Sequence, residues 1–77
     1  MDEEEKMYRA LQKLARHYGW SVRINTRKDA AIEGEPFLLV SPNKDVVFKG
    51  RLNRVINILR ASLPVSHDEF RRFQFTG

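Results

Sequence analysis

Gly19 divides the chain into two hydrophobic periods. Before it, Met7, Leu11, Leu14, Ala15 and Tyr18 recur at i, i+4, i+7, i+8 and i+11, the single apolar stripe of an amphipathic helix. After it the period is two: Trp20, Val22, Ile24 and Thr26 alternate with Ser21, Arg23, Asn25 and Arg27, the pattern of a strand with one core face and one polar face. A chain that switches period at a glycine is neither a helical bundle nor an all-β domain. The class expected is α+β. The acidic run Asp2 to Glu5 suits the positive end of the first helix dipole, Arg16 and His17 suit the negative end, and Gly19 supplies the stop.

The remaining elements follow from punctuation and spacing. Lys28 to Pro36 is an aperiodic connection containing Gly34, Glu33 and Glu35. Phe37 to Ser41, held between Pro36 and Pro42, reads as a second strand, and Val46 to Lys49 as a third. Between them Pro42-Asn43-Lys44-Asp45 has the residues of a tight turn. Gly50 opens a second helix, on which Leu52, Val55, Ile56, Leu59 and Leu63 form one stripe and which Pro64 ends. Ser66 and Glu69 are spaced as a capping box, with Val65 and Phe70 as its hydrophobic staple, and Phe73-Gln74-Phe75 alternates as an extended tail. The architecture expected is a small three-stranded antiparallel sheet packed on the C-terminal helix, with an extra N-terminal helix. Residues 1–18 form that amphipathic extension and residues 19–77 the domain proper. The core expected comprises Trp20, Val22, Ile24, Phe37, Leu39, Val46, Phe48, Leu52, Val55, Ile56 and Leu59.

Composition excludes several function classes. Seventy-seven residues carry one small core. With no cysteine there is no disulfide, thiolate metal site or thiol nucleophile, and a reducing, intracellular compartment fits. The two histidines, His17 and His67, are far apart in sequence, so no metal or other cofactor is expected. Ser66, His67 and Asp68 are consecutive at a helix start and fan outward, so they form no triad. Glu33 and Glu35 sit in a polar connection and the four glycines stand singly, with no phosphate cradle. An enzyme with a small-molecule substrate is therefore not expected. The longest apolar run, Phe37 to Val40, is too short for a membrane span.

Charge points to a polyanionic or acidic partner. The formal net is +4, but four of the ten acids precede Lys6, and from Lys6 onward fourteen basic residues face six acidic ones, a net of +8. Arg23 and Arg27 project from the polar side of the first strand, while Lys49 and Arg51 flank the junction of the third strand with the second helix. Arginine can take guanine O6 and N7 with both arms of its fork, and a narrow antiparallel sheet fits a major groove. The partner expected is double-stranded DNA, or an acidic protein that uses the same basic sheet face.

Gly19-Trp20, Arg23, Arg27-Lys28, Glu33-Gly34-Glu35, Ser41-Pro42, Val47-Phe48-Lys49, the helix positions Leu52, Val55 and Leu59, and Phe70 with Phe73-Gln74-Phe75 follow one another in an order that resembles the methyl-CpG-binding domains and the related TAM domains of chromatin-remodelling subunits. The resemblance covers about residues 19 to 77. It implies strands backed by a helix, a nuclear, chromatin-associated role in transcription regulation, and DNA contact through Arg23, Arg27, Lys28, Lys49 and Arg51. Of the two guanine-reading arginines of that family, the first matches Arg27 and the second falls at Lys49. Gly50 stands at the family's serine, and Pro36, Phe37 and Leu38 replace its polar methyl-reading residues. The resemblance thus implies weak or no methyl-CpG selectivity. Two alternatives stand beside it: a protein-interaction domain without DNA binding, and a module similar to the double-stranded-RNA-binding domain, which has the same order of helix, three strands and helix.

Overall fold

The computed structural model describes residues 3–66, 68–70 and 72. The extended run expected at Phe73 to Phe75 and the expectation for His67 lie outside them. Helix α1 (Glu3–His17) is followed by strands β1 (Ser21–Ile24), β2 (Phe37–Val40) and β3 (Val46–Gly50), and then helix α2 (Leu52–Ser62). The strands form one antiparallel sheet in the order β1-β2-β3. The expected α+β class is therefore what the chain adopts.

Helix α1 ends because Gly19 takes a left-handed φ of +84°. The Gly19 and Trp20 N–H groups donate to the Arg16 and Ala15 carbonyls, at 3.1 and 2.8 Å, which satisfies the last turn of the helix. The chain then enters β1 at once, so α1 lies beside the strand it precedes. Leu11, Leu14 and Ala15, each at most 1% exposed, share one cluster with Val22, Phe37 and Leu39 of the sheet and Leu52, Val55, Ile56 and Leu59 of α2. The N-terminal helix is thus part of the same core, and both helices cover one face of the sheet. Phe70 is buried in that cluster with Val65 packed against it, and the Glu69 N–H donates to Ser66 Oγ at 3.2 Å, as the capping-box spacing predicted.

Strand pairing decides which side chains reach the core. Val22 faces Leu39, and Leu39 faces Phe48, all toward the helices. The pairing then slips: Val40 faces Val46, which leaves Val47 as an extra residue in β3. The slip rotates Val46 off the core face, and Val46 and Val47 are both about half exposed, at 48% and 49%. Ile24, also expected inside, is 58% exposed. It is the last residue of β1, where Asn25 diverts the chain by accepting the Arg27 N–H on its side-chain oxygen at 3.1 Å. That turn also ends β1 at Ile24, three residues short of the alternation seen in the sequence.

Candidate binding face

Residues next to the core-facing ones in each strand point away from the helices. On that open face Arg23 pairs with Leu38, and Leu38 pairs with Lys49. The two cations stand in one cross-strand row, their backbones two strand spacings or roughly 10 Å apart, with a leucine between them. The next row is Ser21, Val40 and Val46, with the bulged Val47 beside it. Arg23 and Lys49 are exposed, Leu38 and Val40 are partly exposed, and none of the three strands contains an acidic residue. The face is therefore an apolar patch with two positive charges along one side. The expected polar, basic face holds for Ser21, Arg23 and Lys49, and the positions between them are aliphatic.

The other basic residues singled out in the sequence lie elsewhere. Arg27 and Lys28 belong to the β1–β2 loop. The Arg27 guanidinium is paired with the Glu33 carboxylate and lies 4.0 Å from that of Glu35. This loop is a built structure. Asn25 donates through its backbone to the Pro36 carbonyl at 2.9 Å and through Nδ2 to the Glu35 carbonyl at 2.8 Å. Ala30 is buried, and Gly34, at φ +78°, closes a helical turn with Glu35 N–H donating to the Ala30 carbonyl at 2.7 Å. Arg51 is the N-cap residue of α2, exposed and without a side-chain cap bond. It lines a cleft of about 500 Å³ with Glu3 and Glu4 of α1 and with Met7, Phe37 and Leu52. The Arg51 side of the molecule therefore presents both signs of charge.

Leu38, Val40, Val46 and Val47 are the site residues that the sequence reading did not single out. Two signals carry them. Phe37 to Val40 is apolar at four consecutive positions, the composition of a strand covered on both faces. Val46-Val47 is an adjacent β-branched pair that strict alternation does not allow. At the β1 edge of the sheet one backbone acceptor is taken: Tyr8 Oη and Gln12 Nε2 on α1 both donate to the Val22 carbonyl, at 3.4 and 3.3 Å.

Among the described residues no group of three His, Asp or Glu side chains is placed to hold a metal ion, and no helix is long and apolar enough to cross a membrane. Comparison of the chain with protein-family models, with curated proteins and with solved structures finds no match in any of the three.

Proposed function

We propose that the chain is a binding module whose open sheet face takes an acidic, apolar segment of a protein partner. One observation carries this reading: the row Arg23, Leu38, Lys49, next to Val40, Val46 and Val47, on a face that neither α1 nor α2 covers. Alternating apolar and acidic side chains on a bound segment would match both features of the patch. The apolar part supplies burial, and Arg23 and Lys49 set orientation and rate of encounter. A surface built for phosphate alone has no use for a leucine between its cations and three valines beside them.

The second reading is contact with duplex nucleic acid through the same two cations. It draws on the excess of eight positive charges from Lys6 onward and on the likeness to methyl-CpG-binding domains, which would add a nuclear, chromatin-associated setting. The element order, with α1 inside the core, also fits the likeness to double-stranded-RNA-binding domains. Glu3 and Glu4 beside Arg51, and Glu33 and Glu35 beside Arg27, weigh against a polyanion on those two sides.

The test is an amide-shift titration of the labelled chain with three probes: a peptide alternating Glu with Leu and Val, a DNA duplex with and without CpG methylation, and an RNA duplex. The expected result is perturbation by the peptide at Arg23, Leu38, Val40, Val47 and Lys49, with shallow salt dependence. A duplex that perturbs those residues while the peptide does not, and that weakens with a logarithmic slope of about 0.9 per phosphate contact, replaces the first reading by the second.

A further inference from the structure

Among the described residues β3 is the last strand of the sheet, and the register fixes which of its backbone groups point outward. The Asn25 N–H donates to the Pro36 carbonyl, so these two form a hydrogen-bonded pair, and such pairs recur at every second position. Val22, facing Leu39, falls between them. Its N–H and carbonyl therefore point away from β2, and the Val22 carbonyl does accept from Tyr8 and Gln12 on that outer side. Phe37 and Leu39 accordingly turn their backbone groups to β3, where they face Gly50 and Phe48. Lys49, between those two, points its N–H and carbonyl outward. So do the Val47 carbonyl and the Arg51 N–H, since each shares a trans peptide plane with an inward group of Phe48 or Gly50.

The Val47 carbonyl, the Lys49 N–H and carbonyl, and the Arg51 N–H thus follow one another along the outer side of β3. Arg51 is still extended, at φ −77° and ψ 157°, so the row continues to the start of α2. Val47, Lys49 and Arg51 are all exposed. We infer that a segment of the partner adds a fourth strand along Val47 to Arg51, completing this ladder. The inference rests on the acidic, apolar protein partner proposed above and adds how that partner is held. Main-chain bonds at the edge supply affinity, and side chains on the open face supply selection.

Charge selects the occupant. The exposed residues along this edge include three cations, Lys44, Lys49 and Arg51, against one anion, Asp45, a net of +2. An edge lysine keeps neutral and basic strands away, and β3 of a second copy would set the same positive excess against itself. An acidic residue beside Lys49 instead makes a favourable cross-strand pair. Side chains two apart in a strand share a face, so the residue two positions from that acid lies beside Val47 and is apolar. Acid and aliphatic in turn on one side of an extended segment match Lys49 and Val47 together. A nucleic-acid duplex has no extended amide backbone with which to complete the ladder.

The probe is a peptide with Glu and Val in turn at its odd positions and Thr at its even ones. It is made unmodified, N-methylated at the odd positions and N-methylated at the even positions. An added strand turns only every second N–H toward β3, so one methylated form should bind the full chain about tenfold or more weaker than the unmodified peptide and the other within about twofold of it. Loss in the odd form reports an antiparallel strand, loss in the even form a parallel one. Arg51→Pro should bind about threefold weaker than Arg51→Ala, because φ at Arg51 already suits proline and the further loss is the outward N–H. The added strand is overturned, with the acidic partner intact, if the unmodified peptide shifts the Arg23, Leu38 and Lys49 amides but both methylated forms bind alike, or if Arg51→Pro binds as Arg51→Ala does. If the unmodified peptide does not bind, both readings fall. A mass above 9.1 kDa without peptide, lost in Arg51→Pro, gives the edge to a second copy and also overturns the inference.

Discussion

Arg23 and Lys49 are both paired to Leu38, one across each ladder of the sheet, so two cations flank one leucine in a single row. Reversing both charges, Arg23→Glu with Lys49→Glu, should weaken binding of an acidic, apolar peptide by tenfold or more, about 1.4 kcal/mol. Stability should hardly change, because exposed substitutions typically fall within about 0.5 kcal/mol. Calorimetric titration and a denaturant melt on the same variant separate the two effects. A variant that binds the peptide like the parent removes the open face from consideration.

Arg27 is held by Glu33 and Glu35, and an exposed pair of this kind contributes only about 0–1 kcal/mol. If a duplex binds at Arg27, the base-reading position that the resemblance to methyl-CpG-binding domains implies, and not at Arg23 and Lys49, Glu33→Gln with Glu35→Gln should free the guanidinium and raise duplex affinity. Arg27→Ala should lower it by about 1–3 kcal/mol. If the ligand is a peptide on the open face, neither change should alter its affinity. Isotherms at one fixed salt concentration distinguish these outcomes.

Methylation should matter little. Pro36, Phe37 and Leu38 occupy the neighbourhood in which the resembled family carries polar methyl readers. Phe37 is buried among the helices, against the ring of Tyr8 at 5.3 Å. The expected preference for a methylated over an unmethylated CpG duplex is below about tenfold. A larger ratio in a competition assay would contradict this.

The core runs through both helices. Leu59→Ala and Leu11→Ala each remove a side chain that is at most 1% exposed in the shared cluster, and each should cost about 2–5 kcal/mol. A chain beginning at Gly19 loses Leu11, Leu14 and Ala15 together. It should show neither cooperative melting nor native amide dispersion.

Two glycines should fail for opposite reasons. Gly34 has open space around it, but at φ +78° an alanine there bears left-handed strain of about 1–2 kcal/mol. Gly50 has no such φ, but a Cβ there would meet the Phe48 ring at 2.6 Å. Gly50→Ala should therefore displace Phe48 and cost about 1–3 kcal/mol. Phe48→Leu in the Gly50→Ala background should recover part of that loss, whereas no neighbouring change should rescue Gly34→Ala.

The elements were legible wherever a period ran long enough. The stripes Met7 to Tyr18 and Leu52 to Leu63 locate both helices, and the prolines at 36, 42 and 64 bound what lies between. Legibility fails at single-residue events. Alternation places Val46 inside, but Val47 bulges and carries its neighbour out. Alternation continues β1 to Arg27, but one Asn25 side-chain bond turns the chain away first. The basic residues were visible one by one, but their partners were not. Nothing local in the sequence says that Glu33 folds back on Arg27, or that Leu38 stands between Arg23 and Lys49.

The Val22 carbonyl, taken by Tyr8 and Gln12, also works against edge-to-edge pairing at β1. A strand arriving beside β1 would find that acceptor already occupied, so the two α1 side chains remove one rung from any ladder built there. Gln12→Leu with Tyr8→Phe would give that rung back.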